Sequence, residues 1–380
     1  MNWRMGLRNA DTMMAFRGDF NYGKPSTLSW LLDEALGFES TDPRDMVYAL
    51  LGLTVDDSST AIIPTYDGTN SPAPVYTQAM RFLFSQATPK PPTALYRAGI
   101  GFSRSGKVPG LPSWVPDWSY STQIRFLHDN YAAATSYSFS VEDLDDHEPS
   151  IIRLHGEIFD QVKHLGHIFS AKDGNTRLDE AIQLQQSYDE AYDLASTHAF
   201  NKSDESSFNE TFIRTLLGNK RYGGPDSKAF SHALSASQCQ GYFTDMKQGY
   251  EKYRKMAATL EEETGTETEL QWFYEFHTRM EEFGFLLGSS IGERRFFVTK
   301  KGRMAVVPPL CEKDDLVVIL AGMTMPFLVR EHHGQSPTQT SRTSTQGSDN
   351  ARYELVGCCY VDSAMEGEIQ PGKERMFTLV

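Results

Sequence analysis

Four side chains able to hold a metal or move a proton fall within thirteen residues: His155, Glu157, His164 and His167. On an extended strand His155 and Glu157 share a face, and imidazole with carboxylate suits a divalent transition metal. This is the basis of one reading, an enzyme with a metal-dependent site at the mouth of a β-domain. The neighbours Leu154, Ile158, Val162 and Leu165 are apolar, which favours the other reading, histidines along the rim of a sheet.

Other candidate chemistry is excluded by context. GFSRSGKV (101–108) has the GxxxxGK spacing but carries Val108 where Mg²⁺ needs a hydroxyl, and Pro109, Gly110 and Pro112 forbid the helix that would meet phosphate. Gly99 and Gly101 fail as a dinucleotide fingerprint because Arg104 holds the third position. Ser103 and Ser105 lie in the same loop, without the rigid elbow a serine nucleophile requires. Glu142-Asp143-Leu144-Asp145-Asp146 and Glu261-Glu262-Glu263 lack the glycine and alternating ligands of a calcium loop. Neither a catalytic nor a cofactor-binding nor a metal constellation is expected, so no cofactor is implied.

Composition narrows the class further. The net charge is −14, which argues against general affinity for nucleic acid or an anionic membrane while leaving room for a local basic patch. Cys239, Cys311, Cys358 and Cys359 form no CxxC pair, and the adjacent two would face opposite ways on a strand. The longest apolar run, Leu316–Met323, is far shorter than the ~20 residues of a membrane helix. A cytoplasmic protein in a reducing compartment is expected, with 23 Phe, 17 Tyr and 5 Trp to fill a core.

The elements that must position these residues fall into three blocks. Residues 1–120 read as short helices joined by proline-rich loops. Ser26 or Thr27 caps a helix ending at Gly37; Asp42, Pro43 and Asp45 open a second, closed by Gly52. A third begins near Pro74. LPSWVPDWS (111–119) reads as an extended aromatic plug between helices and a barrel, with an exposed Trp114/Trp118 binding surface as the alternative. Strands are expected at 137–141, 151–155 and 157–165, and again at 295–299, 305–307, 316–320, 327–330 and 353–361. Helical periodicity returns at 178–199, 204–217 and 267–287. The tract 334–350 has no large apolar residue and reads as a disordered loop. The fold class is therefore α+β: a helical segment, then a small antiparallel β-barrel-like domain (121–177 and 291–380) with a long helical insertion (178–290). Three strands before the insertion and five after it would close an eight-stranded barrel.

Several stretches resemble fungal heterokaryon incompatibility (HET-domain) proteins. These are TDPRDMVYALLGL (41–53) with the segment 62–83, LPSWVPDWS (111–119), FIRTLLGN (212–219), 294–330, and YELVGCCYVDSAMEGE (353–368). The signature positions are Asp42, Pro43, Arg44, Asp45, Tyr48, Leu50, Gly52, Leu111, Pro112, Trp114, Pro116, Asp117, Trp118, Arg295, Gly302, Pro326, Phe327, Tyr353, Gly357, Tyr360 and Gly367. The motif similar to SYVWG that begins the TIR-like core of that family and the one similar to WIDALCINQ further on in it do not occur. The resemblance thus implies the C-terminal portion without that core, and no NAD-cleaving residue carries over. It implies a non-catalytic interaction or regulatory module in fungal allorecognition and cell death, with protein partners and neither nucleic acid nor membrane.

Overall fold

The computed structural model describes residues 3–21, 26–66, 68, 71–87, 91–102, 108–120, 131–134, 136–142, 148–169, 177–200, 204–218, 291–333, 351–367 and 372–380, with isolated positions between 249 and 278. The expected loop 334–350 and most of the helix expected at 267–287 lie outside the described residues.

The chain enters through α1 (Trp3–Asn21), α2 (Leu28–Glu34), α3 (Asp45–Leu51), α4 (Ser58–Ala61), α5 (Ala73–Ser85) and a 3₁₀ turn at Thr93–Arg97. Thr27 caps α2, its side chain accepting from the Trp30 amide, and Leu28, Leu31 and Leu32 are buried along one face. α3 begins later than the Asp-Pro signal implies. Its N-cap is Arg44, without a side-chain cap, and Asp42 Oδ1 instead accepts from the Arg44 amide at 3.0 Å in the turn before it. Gly52 does follow α3, but with φ −71, so no left-handed cap is involved.

The remaining elements are β1 (Val141–Glu142), β2 (Ile152–Phe169), α6 (Arg177–His198), α7 (Glu205–Leu216), β3 (Arg294–Thr299), β4 (Met304–Val307), β5 (Leu316–Leu320), β6 (Phe327–Glu331), β7 (Arg352–Cys358), β8 (Tyr360–Val361) and β9 (Arg375–Leu379). The order β2-β5-β6-β7-β9 returns to β2, closing a five-stranded barrel and leaving no free edge in that ring. β3, β4 and β8 extend from the far half of β2.

Three expectations about the sheet are corrected. The barrel closes with five strands and not eight: β3, β4 and β8 stand outside the ring, and the stretches read as two strands around Gly156 are one 18-residue strand. Gly156 permits continuity rather than a turn: a Cβ there would lie 2.7 Å from the Ile319 carbonyl oxygen of β5. Irregularities at Ile158/Asp160, Val162/His164 and Leu165/Ile168 bend β2 so that one strand serves both the ring and the extension. The barrel is not wholly antiparallel, since β7 and β9 pair in parallel. Finally, β9 was not anticipated, because Arg375–Leu379 is short and lacks strong alternation.

Alternation along each strand sorts the core. Val318 and Leu320 join the apolar cluster that includes the helices, whereas Val317 and Ile319 join a second cluster with Phe159, Phe297 and Leu328. Cys358 falls in the first and Cys359 in the second, as side-chain alternation requires. α6 and α7 lie between β2 and β3 in the chain, and these two strands pair directly.

Candidate functional site

The first signature is a compact polar fork over a buried helix. Arg44 is 3% exposed; its Nη2 meets Asp42 Oδ2 at 2.7 Å, its Nε meets Oδ1 at 3.0 Å, and its guanidinium lies 4.8 Å from the Tyr66 ring centre. Hydrogen bonds from Arg44 hold the Asp42 carboxyl below the usual carboxylate range. Tyr66 donates to Asp45 at 2.6 Å, Tyr48 donates to the Thr65 carbonyl at 3.4 Å, and Tyr76 donates to the Pro43 carbonyl at 2.7 Å. Leu50 is buried beneath.

The second signature joins that helical layer to the barrel. Leu111, Pro112, Trp114, Pro116 and Trp118 are all buried, so the tryptophans offer no exposed surface. Trp114 packs on Phe84 with centroids 5.8 Å apart and donates Nε1–H to the Ser150 carbonyl at 2.9 Å. Trp118 meets Tyr76 edge-on at 5.3 Å. Asp117, 5% exposed, turns inward and accepts from the Ser119 amide at 3.1 Å and its hydroxyl at 2.5 Å. Burial, then the Asp117 charge, pushes the Tyr76 phenol up. Ser113, inside the motif but not among the signature positions, accepts from the Leu355 amide at 2.8 Å, and its own amide and hydroxyl donate to the Val380 carbonyl. Nothing in its residue type marked it; only the fold brings β7 and β9 to it.

The C-terminal signature residues complete the same joint. Phe327 stacks on Tyr96 at 5.6 Å, and the Tyr96 hydroxyl accepts from the Thr324 amide at 2.8 Å. The Pro326 carbonyl accepts from Cys359 N at 3.0 Å, and Tyr353 lies 5.4 Å from Phe377. The bulge of β7 at Val356 presents carbonyls to Ile100 and Gly101, whose amides donate to Leu355 and Val356 at 2.9 and 2.8 Å. Gly357, at φ 144, is required because a Cβ would lie 2.8 Å from Pro308 Cγ. Farther along, Arg295 donates to the carbonyls of Gly166 at 2.5 Å and Cys311 at 3.3 Å. Gly302, at φ 80, makes the β3–β4 turn and accepts from the Phe200 amide at 2.8 Å. Tyr360 faces Tyr131 edge-on at 5.9 Å with its phenol pushed up by burial, and Gly367, at φ 96, lies beyond β8. Arg294, one residue before the strand expected at 295–299, is buried with its guanidinium beside the Cys358 thiol.

The proton-transfer candidates do not converge. His155 pairs with Glu142 at 2.9 Å, His167 pairs with Glu190, and His164 stacks on His198 at 3.7 Å between ring centres. Glu157 is buried. Twelve residue steps along β2 separate His155 from His167, at ~3.3 Å each an upper limit of roughly 40 Å that the bends of the strand shorten. Among the described residues no three His, Cys, Asp or Glu side chains are grouped to hold a metal. Burial pushes the Cys311 thiol up to about 12 and raises Cys358 and Cys359 as well, leaving these three as thiols at neutral pH. Ser103 and Ser105 lie outside the described residues. Among the described residues no helix is long and apolar enough to cross a membrane.

Comparison with known proteins bears on the barrel and on the family. The Het-6 beta-barrel domain family matches residues 178–380, just over half of the chain. The match begins at α6, so β2, which closes the ring, lies before it. Heterokaryon incompatibility protein 6, OR allele, of Neurospora crassa is 23% identical over 360 residues, covering 88% of this chain and 50% of that protein. The chain thus spans about half the length of the curated relative it matches. No solved structure matches. With its barrel and this match, the chain belongs to the Het-6 beta-barrel family of fungal heterokaryon incompatibility proteins.

Proposed function

We propose that the chain is a non-catalytic interaction and regulatory module in fungal heterokaryon incompatibility, working in the cytoplasm through protein partners. The relative is named for heterokaryon incompatibility, and a module of this kind would restrain or position an effector domain. The observation that carries the reading is how the polar signature groups are used. Arg44, Asp117 and Arg295 bond neighbouring backbone or side chains, and Ser113 ties the second signature to β7. The Ser113 bond joins the helical layer to the barrel and the others brace the turns and strands in which they stand, which suits a rigid platform. The histidines pair off separately along β2.

The test is direct. The purified 380-residue chain is incubated with NAD and assayed for nicotinamide, and its exposed histidines are replaced (His155→Gln with His167→Gln) in a fungal strain scored for incompatibility. The expected result is no nicotinamide and an unaltered incompatibility response. Nicotinamide release, or loss of the response with the fold intact, overturns the proposal.

A further inference from the structure

We infer that the end of the barrel where the C-terminus of α6 meets the β3–β4 turn is a docking surface for an acidic segment of a protein partner. The inference rests on the interaction-module reading and assigns that module a surface and a partner chemistry.

The surface is built around two residues of β2. The Lys300 amide donates to the Gln161 carbonyl at 2.8 Å, bringing the Lys300-Lys301 turn to one edge of the strand. On the other edge Asp314 N donates to the Val162 carbonyl at 3.0 Å, and Val162 N donates to the Asp315 carbonyl at 2.9 Å, bringing in Lys313. Lys163 emerges between them at the irregularity that follows Val162. Next to it His164 lies flat on His198, the rings 3.7 Å apart and 3° from parallel. Two residues past His198, Phe200 is 74% exposed, and its amide is fixed to the Gly302 carbonyl at 2.8 Å. Lys163, Lys300, Lys301, Lys313 and His198 are all exposed.

This cluster is basic in a molecule of net charge −14. The charged neighbours that act on His164 are His198, Lys163 and Lys313. The acidic groups nearby do not cancel them. Glu312 is paired with Arg330 at 2.7 Å, and Asp160 is buried, accepting the amides of Gln161 and Lys301 through Oδ1. Asp314 is exposed beside Lys313 and offsets one charge. Lys301 is tethered, its Nζ donating to the Phe159 carbonyl at 2.6 Å.

A single exposed phenylalanine is ordinary. One held by its backbone beside the Lys300-Lys301 turn joins an apolar anchor to a cationic border, the anatomy of a recognition patch. The charge of the whole chain repels long polyanions, whereas a short acidic segment feels only charges within a Debye length of about 8 Å. One phenylalanine buries far less apolar surface in a bilayer than an acyl chain, which by itself anchors only marginally. Acidic polypeptide therefore fits best.

The test uses the full chain and fluorescence anisotropy with the labelled peptide Glu-Glu-Leu-Glu-Glu-Leu-Glu-Glu, against the same peptide with Gln for Glu. Vesicles containing phosphatidylserine and a single-stranded oligothymidylate are the competing probes. The acidic peptide is expected to bind, and the Gln peptide not. Raising salt from about 0.05 to 0.5 M should weaken binding about tenfold or more. K300E with K313E should weaken it at least about tenfold, and F200A several-fold, while R17E on α1 should leave it unchanged. Equal binding of both peptides, indifference to the charge reversals, or binding of vesicles or oligothymidylate alone overturns the inference. Absent peptide binding without nicotinamide release removes this surface and leaves the module reading standing. Nicotinamide release removes the module reading whatever the peptide does.

Discussion

The Leu355 amide donates to Ser113 Oγ at 2.8 Å across 242 positions of sequence, joining the second signature to the barrel wall. Both partners of this bond are buried. Ser113→Ala leaves the Leu355 N–H without its acceptor, at a cost of about 1–3 kcal/mol. Ser196→Ala, at an exposed position on α6, should change stability by less than about 0.5 kcal/mol. Urea unfolding of the two variants checks the difference.

Trp114 has no exposed surface and fills the gap between α5 and the residues leading into β2. Trp114→Ala should cost about 3–5 kcal/mol. A binding tryptophan would tolerate the change, so an unfolding midpoint close to the parent's would argue against the packing role.

Gly357 is expected to resist even one added methyl group. Its φ of 144 and the 2.8 Å approach to Pro308 combine conformational strain with overpacking, together about 2–5 kcal/mol for Gly357→Ala. Gly18→Ala, in α1 with open space around it, should instead stabilise by about 0.5–1 kcal/mol. Opposite signs in one thermal-unfolding series are the outcome to look for.

The His164 imidazole is held below its usual value of 6.5, by burial first and then by His198, Lys163 and Lys313. Folding therefore favours the neutral ring. The unfolded chain binds the extra proton, so this contribution is complete above pH 6.5 and declines as pH falls towards the folded value. The protection factors of the amides at the end of α6, corrected for the slower intrinsic exchange at lower pH, should fall between pH 7.5 and 5.5. His164→Gln should remove that change. His167, paired with Glu190 farther along the same seam, is left in place as the internal control.

Cys311, Cys358 and Cys359 are at most 1% exposed, with thiols pushed up by burial. In a Cys239→Ser chain, a thiol reagent at pH 8 should find almost nothing to label until denaturant is added, and then three equivalents. Rapid labelling of the native protein would contradict the packing described.

Local rules in the chain were sufficient where the physics is local. Thr27 before Leu28, Leu31 and Leu32 specifies a capped amphipathic helix; short apolar runs mark β3, β5 and β6; Lys300-Lys301-Gly302 specifies a turn. Proline, tryptophan and glycine recur in a fixed order through 41–83 and 111–119, and that order points to the family. What was not legible is long-range. Bending of β2, its closure with β5 and β9, and the parallel pairing of β7 with β9 depend on strands far apart in the chain. Periodicity states which face of a strand is apolar but not which strand covers it. For the same reason His155, His164 and His167, neighbours in sequence, stand apart along one extended strand, while Lys163, Phe200, Lys300 and Lys313 meet at one end of the barrel. Residue type and spacing set the kind of element each segment forms; the closing of the sheet set which side chains share a surface.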